Sequence, residues 1–462
     1  MGRKRLLCFG LALLAVLCSF GLSACGRGPI RTGQKDEFVY NVYAKYSEVV
    51  SYTGSDTVIN VPATLGGKRV AKIGDFAFRG NRTVTEIQLP DTVKYIGAEA
   101  FGNCPVLESV KLPPVLNEIG VGAFSYCNTI ESFDLSGVNG LKSLGENLFF
   151  KCINLKSVVL GPSVTAIGKS AFYDCTALQS VTSLDSIVTV ENGAFYGCRA
   201  LETLGELPML QNIADSAFEG CVSLLTINVG NNVQNIGTRA FYGCEVLTGF
   251  LFGEGLAAIG PDAFFKTALT SVKLPETLTV MNGAFSGAQK LQSVQLPKNT
   301  TRLADDMFAG CLALQSVTNT ENLTEIGSRA FFDCRSMPEF LMPQGLSKIG
   351  DYAFSQCIVL TKLQFTNELR VIGEGAFSQC IGLNEIDFGS GVETIGKDAF
   401  ASCMGLKYVT LPESVISVGE GAFRSCSYLE RITILKEKGS LDTANWGIGF
   451  SIRWKSAEKE KK

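Results

Sequence analysis

The sequence predicts an elongated α/β solenoid of about sixteen coils, each with the same short repeat unit. Two observations predict it. A phenylalanine recurs sixteen times between Phe78 and Phe423, and thirteen of the fifteen spacings equal twenty-three. Each period also carries a short alternating apolar segment and a longer apolar run with near-helical spacing. Because one such unit cannot enclose a core, identical units must stack side by side.

One unit shows how the residues predict each element. Val110 and Leu112 alternate with polar residues and precede Pro113, which predicts a short strand that stops there. From Leu116 to Cys127 the apolar spacing predicts a helical or 3₁₀-like run of about three turns. Strands of neighbouring coils should then pair in parallel, about 4.8 Å apart.

The period is irregular at two places. The spacing lengthens to twenty-five after Phe124, in what we call the long coil, and shortens to twenty-one after Phe264, in the short coil. The two units around the short spacing also lack the cysteine that nearly all others carry. Shortened coils that have lost a buried residue should stack less regularly. We therefore predict a weak joint near residues 264–290, which would divide the array into residues 58–263 and 291–434.

Thirteen of the sixteen cysteines occupy one slot of the repeat, three residues after the phenylalanine, from Cys104 to Cys426. A disulfide framework uses irregular spacings, whereas these cysteines occur once per coil at an equivalent position. Cysteine is also among the most buried residue types. An odd number leaves at least one thiol unpaired within a monomer. We expect a column of buried free thiols.

The N-terminus has the marks of an export signal. Residues 3–5 are basic, residues 6–20 are apolar, and Leu-Ser-Ala-Cys follows at residues 22–25. This last segment resembles the lipobox of bacterial lipoproteins. The resemblance implies that residues 1–24 are a cleaved signal peptide and that Cys25 carries the lipid that anchors the mature chain to a membrane.

The remaining chain divides by composition and period. Residues 25–37 are polar and Gly-rich, which predicts a flexible tether. Residues 38–57 form an N-terminal cap region, and residues 58–434 form the solenoid. Residues 435–462 lose the period, hold both tryptophans and end in a charged run, so we predict a C-terminal cap followed by a tail.

The repeat pattern I-x-I-P-x-x-V-x-x-I-G-x-x-A-F-x-x-C-x-x-L resembles the BspA-like class of leucine-rich repeat, found on bacterial surface and secreted proteins. The resemblance covers about residues 58–434. It implies a right-handed leucine-rich repeat array with a parallel sheet on the concave face and short helices on the convex face. It also implies a cell-surface binding protein, associated with adhesion or macromolecular recognition.

Composition excludes several classes of function. The sequence contains no histidine, which removes every Ser-His-Asp, Cys-His and histidine–metal arrangement. Lys and Arg (41) nearly balance Asp and Glu (44), which argues against nucleic-acid binding. Asp305 and Asp306 are adjacent, but they occupy variable positions where a solvated face is expected. We predict a protein that is not an enzyme and needs no metal or cofactor.

The remaining candidate site is the solvent face of the predicted strands, where side chains alternate between core and surface. The outward residue differs from coil to coil and is mostly polar. The candidate ligand-binding residues are Lys111, Asp134, Asn228, Lys273, Gln295, Gln364 and Asp387. We expect an extracellular protein or glycan as partner, and a monomer. The alternative is a glycan- or peptide-capture or scaffold module of a nutrient-uptake or cell-envelope system.

Overall fold

A computed structural model describes residues 28–455 of the chain. The predicted signal peptide, Cys25 and the charged residues 456–462 lie outside the described residues. Residues 28–455 form 36 β-strands and no helix. In chain order the strands are β1 (Arg31–Lys35), β2 (Phe38–Val42), β3 (Ser47–Tyr52), β4 (Val58–Asn60), β5 (Thr64–Leu65), β6 (Lys68–Ile73), β7 (Glu86–Gln88), β8 (Tyr95–Ile96), β9 (Ser109–Lys111), β10 (Glu118–Ile119), β11 (Ser132–Asp134), β12 (Ser143–Leu144), β13 (Ser157–Val159), β14 (Ala166–Ile167), β15 (Ser180–Thr182), β16 (Thr189–Val190), β17 (Thr203–Glu206), β18 (Asn212–Ile213), β19 (Thr226–Asn228), β20 (Asn235–Ile236), β21 (Gly249–Phe250), β22 (Ala258–Ile259), β23 (Ser271–Lys273), β24 (Ser293–Gln295), β25 (Arg302–Leu303), β26 (Ser316–Thr318), β27 (Glu325–Ile326), β28 (Lys348–Ile349), β29 (Lys362–Gln364), β30 (Val371–Ile372), β31 (Glu385–Asp387), β32 (Thr394–Ile395), β33 (Tyr408–Leu411), β34 (Ser417–Val418), β35 (Arg431–Ile434) and β36 (Ser451–Trp454).

The strands form two columns along a solenoid, because nearly every coil contributes one strand to each column. The first-strand column contains the longer strands, such as β7 and β9, which pair in parallel with Gln88 opposite Lys111. The second-strand column contains two-residue strands, such as β8 and β10, with Ile96 opposite Ile119. The predicted stacking of parallel strands in register is therefore confirmed.

At the N-terminal end, β1, β2 and β3 form an antiparallel ribbon that covers the first coil. β3 then pairs in parallel with β6 and so joins the second-strand column. Residues 25–37 were predicted to be a flexible tether, but Arg31–Lys35 is strand β1. Its cross-strand pairing with Phe38–Val42 orders residues 31–35, whereas residues 25–27 lie outside the described residues.

The predicted helices are absent from the described residues, and consecutive β-turns take their place. In one coil, Ala77 N–H bonds to the Gly74 carbonyl, and Arg79 N–H bonds to the Phe76 carbonyl. The residues two before and two after the ladder Phe have φ between 47° and 74° in all sixteen coils. Backbone in this left-handed region cannot continue a right-handed helix.

These turns form a third column of hydrogen bonds between coils. Phe78 N–H bonds to the Ala100 carbonyl of the next coil at 2.7 Å, and the equivalent bond occurs at all sixteen ladder phenylalanines. A helix would satisfy its N–H groups internally, whereas a turn column directs them to the neighbouring coil. The apolar spacing of three and four residues fits both structures, and this is why the helix prediction was wrong.

The array has about eighteen turns, not sixteen. The sixteen phenylalanine coils are followed by two coils that begin at β35 and β36. Trp446 follows Phe423 by one regular period of the repeat. It is buried, and its carbonyl accepts the Phe423 N–H at 2.9 Å. The count from phenylalanine alone missed these terminal coils because neither has a ladder Phe.

The ladder phenylalanines form one continuous aromatic column in the core. Ring centroids of neighbouring coils lie 4.9–6.2 Å apart, and the planes are nearly parallel. Tyr52 extends the column at the N-terminal end, with its ring 5.8 Å from Phe78. All sixteen rings are buried. Offset stacking of this kind stabilises beyond the burial of apolar area.

The thirteen repeat cysteines are free and buried, as predicted. Each thiol donates to the carbonyl of the ladder Phe in the preceding coil, at 3.0–3.3 Å. Cys127, for example, donates to the carbonyl of Phe101. The slot therefore suits a small apolar residue that also donates a weak hydrogen bond.

The second-strand column is divided into three sheets, and the divisions fall at the two irregular spacings. One sheet ends at β10 and the next begins at β12, in the long coil. That sheet ends at β22 and the next begins at β25, across the short coil. A single bridge between Ala258 and Val280 remains at this second break. The predicted irregularity near residues 264–290 is thus present in the strand pairing.

Candidate functional site

The seven predicted ligand-binding residues are all exposed, and each is the last residue of a first-column strand or lies at its end. The parallel register brings some of them together. Lys273 lies opposite Gln295, and Gln364 lies opposite Asp387. Lys111 and Asp134 are separated by the division between β9 and β11. The row is therefore a series of short registered patches.

Three residues of this row also shape the turn that follows their strand. The Asp134 carboxylate accepts the Ser136 N–H at 2.8 Å, and the Asp387 carboxylate accepts the Gly389 N–H at 3.0 Å. Asn228 makes a longer bond of the same kind to Gly230. Hydrogen bonds from Ser136 lower the pKa of Asp134. These side chains are held in place by the turn, so part of their identity is explained by backbone structure.

Two leucines interrupt the polar row. Leu251 is 76 % exposed and Leu341 is 79 % exposed. Both stand at the outward position of coils in which the strand is short or missing, at β21 and between β26 and β29. Large exposed apolar side chains in a row of otherwise polar residues are candidates for contacts with a partner.

A second row of side chains, most of them half-buried or buried, was not predicted from the sequence. It follows the ladder Phe by one residue and lies on the outside of the turn column. Phe150, Tyr173 and Tyr196 stack there with centroids 5.0 and 4.5 Å apart, and Tyr242 stacks on Phe265 at 4.5 Å. Enumerating this position coil by coil would have revealed the row.

A cleft opens at the N-terminal end of this aromatic row. In the same row, Gly102 and Ser125 lie between the large side chains of Arg79 and Phe150, and their small size leaves the space open. The volume is about 530 Å³. We call this space the outer cleft; its lining residues are Arg79, Glu99, Asn103, Val121, Gly122, Ser125, Tyr126, Asn147 and Phe150.

The walls of the outer cleft combine paired charges with unpaired neutral polar groups. The Arg79 guanidinium bonds to the Glu99 carboxylate at 2.8 Å, so the pair adds no net charge. The side chains of Asn103, Asn147 and Ser125 make no hydrogen bond to any described residue. Neutral donors and acceptors are thus left open to a ligand or to water.

The repeat thiols and the adjacent carboxylates of Asp305 and Asp306 are held by neighbouring groups of the array. Burial raises the pKa of the Cys152 and Cys311 thiols to about 12, and it also raises that of Cys426. Thiols with such pKa values stay protonated and unreactive. Asp305 and Asp306 bond to Arg302 and Arg329, respectively, so this pair joins neighbouring positions of the array.

Among residues 28–455, no group of three or more Cys, Asp or Glu side chains could hold a metal ion. The same residues contain no helix long and apolar enough to cross a membrane.

The sequence matches a family described as the BspA type leucine rich repeat region, over residues 71–202, 165–288, 211–338, 258–380 and 347–444. No curated protein matches the chain.

Among solved structures, a leucine-rich repeat protein from Bacteroides ovatus is 24 % identical with a TM-score of 0.66, covering 92 % of this chain and 100 % of that chain. At this identity the likeness concerns the fold alone. A leucine rich cell surface protein from Faecalibacterium prausnitzii is 23 % identical, with a TM-score of 0.34 and coverage of 93 % and 96 %. A leucine rich repeat protein from T. pallidum is 28 % identical, with a TM-score of 0.36 and coverage of 47 % and 91 %. These two TM-scores are too low to support an argument.

The family match and the structure agree on the same segment. The matched ranges overlap and together cover residues 71–444, which is most of the chain. Over that segment the structure is a solenoid of stacked parallel-strand coils with a phenylalanine and cysteine core. The chain therefore belongs to the BspA-type leucine-rich repeat family.

Proposed function

We propose that this protein is a lipid-anchored bacterial surface protein that recognises an extracellular macromolecule, in adhesion or a related role, and catalyses no reaction. The observation that carries the proposal is the contrast between core and surface within one chain. Ladder positions hold the same residue types in nearly every coil, whereas the outward position of the first-strand column differs from coil to coil. A constant scaffold with a varied surface is typical of solenoids that bind partners.

The first-strand column is the face that we assign to this partner. Its exposed row extends from Gln88 to Thr433 and mixes amide, charged and apolar side chains. In a right-handed array of this family the row lies on the concave face, where it surrounds a partner. We expect the protein to act as a monomer.

A charge reversal with a matched control tests the assigned face. Lys273→Glu reverses a charge within the exposed row of the first-strand column. Lys290→Glu reverses the charge of an exposed lysine that lies in the same part of the array but outside that row. We expect Lys273→Glu to weaken binding of the full chain to a panel of immobilised purified extracellular matrix proteins at least tenfold, about 1.4 kcal/mol. Equal binding by both variants, or no binding by the wild type, would contradict the proposal.

The lipid anchor has its own test, because Cys25 lies outside the described residues. Cys25→Ser should abolish incorporation of a labelled fatty acid and release the protein from the membrane fraction. A variant that still sediments with membranes, while the wild type takes up no label, would show that the chain is not a lipoprotein.

One observation favours the alternative function, a capture or scaffold module for glycans or peptides. The outer cleft has the size of a small-ligand site and lies away from the first-strand column. A macromolecular adhesion surface does not need such a cleft.

A further inference from the structure

We propose that the outer cleft binds one sugar residue of a neutral glycan. The inference goes beyond the proposed function, since it names a second face and the chemical class of its ligand. It rests on that function only in placing the ligand outside the cell. A cleft of about 530 Å³ lies within the range of small-ligand sites, which runs from about 300 to 1,000 Å³.

The polar groups of the cleft fit hydroxyl groups. An asparagine amide both donates and accepts, and so does a serine hydroxyl. Sugar hydroxyls do the same, so Asn103, Asn147 and Ser125 can each pair with one. None of these side chains bonds to a described residue, and the Ser125 hydroxyl lies at the floor, where the residue is 8 % exposed. The Ser125 hydroxyl is open to solvent, so a ligand hydroxyl there would exchange a bond to water for a bond to the protein.

The charges argue against ionic ligands. The Glu99 carboxylate, 2.8 Å from Arg79, would repel a phosphate or carboxylate, and its guanidinium partner balances it. A cationic ligand would seek the aromatic faces. Lys151 already lies over the Phe150 ring at 5.6 Å, and Arg79 lies over Phe76 at 5.5 Å. The cleft therefore selects a neutral polar ligand.

The apolar walls complete the fit. Tyr126 and Phe150 meet edge to face, with centroids 5.6 Å apart and planes at 63°. Farther along the row, Phe150 and Tyr173 cover each other's faces. Tyr126 is 43 % exposed, so its ring leaves open surface at the cleft that can pack on the C–H face of a pyranose. The cleft lies at the long coil, where the aromatic column also widens to 5.9 Å between Phe124 and Phe149.

The chain itself supplies variants that fill or strip the cleft without a foreign residue type. Ser125→Tyr places in this coil the tyrosine that occupies the same row at positions 173, 196 and 242. Asn147→Gly removes the amide and keeps a residue that tolerates the φ of 57°, as Gly122 and Gly193 do at the equivalent position. Ser355→Tyr is the matched control, since it makes the same change in the same row far from the cleft.

The measurement is binding of the purified full chain to a printed panel of oligosaccharides with glucose, galactose, mannose, N-acetylglucosamine, fucose and sialic acid termini. Hits are then titrated by calorimetry. We expect at least one neutral glycan to bind. Ser125→Tyr should lose at least tenfold in affinity, and Asn147→Gly about tenfold, as for one lost hydrogen bond. Ser355→Tyr should bind like the wild type.

Three results would overturn the proposal: no binding to any neutral glycan of the panel, binding that Ser125→Tyr leaves unchanged, or equal losses in Ser125→Tyr and Ser355→Tyr. The first-strand proposal would survive each of them, because it is tested with matrix proteins and with Lys273→Glu. Conversely, loss of matrix-protein binding by Lys273→Glu with retained glycan binding would separate the two faces.

Discussion

From Phe195 to Phe241 the second-strand column is continuous, every coil has its cysteine, and ring centroids are 5.1 and 5.2 Å apart. From Phe264 to Phe308 the second-strand column is broken, and two consecutive coils have Thr267 and Ala288 in the cysteine slot. The centroids of neighbouring phenylalanine rings there are 5.4 and 6.2 Å apart. The turn column continues through both regions, since every ladder Phe N–H bonds to the next coil.

The difference shows where a solenoid absorbs a change in coil length. The bridge of Ala258 to Val280 places Met281 opposite Ile259. Only three residues then separate Met281 from Phe285, whereas four separate Ile259 from Phe264. One of the two missing residues therefore lies beside the second strand, so that column loses its pairing; the other lies between Phe264 and Leu269. The phenylalanine column tolerates the change because its rings stack without a fixed register.

The largest expected effect is a loss of folding stability at alkaline pH, and it depends on the buried thiols of the regular coils. Burial raises the pKa of the thiols from Cys152 to Cys426, for example that of Cys152 to about 12, whereas the hydrogen bond with Cys127 lowers the pKa of Cys104. The unfolded chain therefore loses thiol protons at lower pH than the folded chain. Stability should be full below the unfolded thiol pKa of about 8.5 and fall above it, by up to about 1.4 kcal/mol per pH unit for each buried thiol.

Urea denaturation under reducing conditions at pH 7, 9 and 10 checks this prediction. The matched control replaces Cys175, Cys198 and Cys221 by alanine, which should make the alkaline loss less steep. A pH dependence unchanged by the triple replacement would show that the thiols are not the cause.

The next effect compares the aromatic column in the two regions. Phe195→Ala removes a ring with neighbours at 5.1 Å on both sides and should cost about 3–5 kcal/mol. Phe285→Ala removes a ring whose neighbours lie at 5.4 and 6.2 Å, so we expect a cost about 1 kcal/mol smaller. Chemical denaturation measures both. A larger cost at Phe285 would mean that the irregular coils are the better packed ones.

The smallest effect distinguishes turns from helices in the regular coils. Gly243 has a φ of 72°, and a Cβ placed there would meet no atom closer than 4.0 Å. Gly243→Ala should therefore destabilise by about 1 kcal/mol through the left-handed backbone alone. In a helix the same substitution would stabilise by a similar amount. The sign of the change in unfolding free energy decides between the two structures.

Much of the fold could be predicted from the sequence, because burial follows the repeat directly. The repeat predicted that Phe124 lies in the core, that Cys127 belongs to a column of buried thiols and that Val110 lies in a strand. At Gly120, the glycine of the Ile-Gly step in the repeat pattern, neighbouring coils approach closely, since a Cβ there would lie 2.5 Å from the Ala98 nitrogen. The helix prediction was wrong because apolar spacing does not report φ. The frequent Gly, Asn and Asp two residues before and after the ladder Phe were the available signal.

The candidate site was predictable only in part. The alternation within strands predicted which residues are exposed, and all seven candidate ligand-binding residues are exposed in the structure. The same alternation says nothing about a cleft formed by small residues in two successive coils. Gly102 and Ser125 form a cleft only because the stacking of coils places these small residues between Arg79 and Phe150.

Amide hydrogen exchange at matched positions tests the central claim most directly, namely that coil-length changes break the second-strand column and leave the turn column intact. In paired coils, the Gly168 N–H bonds to the Leu144 carbonyl at 3.0 Å, and the Gly327 N–H bonds to the Leu303 carbonyl at 2.9 Å. The equivalent amides one coil earlier are those of Gly145 and Ala304. Neither has such a partner among the described residues. We expect the Gly145 and Ala304 amides to exchange at least about tenfold faster than those of Gly168 and Gly327. The Phe149 and Phe308 amides of the turn column should stay protected. Equal protection of Gly145 with Gly168 and of Ala304 with Gly327 would contradict the account.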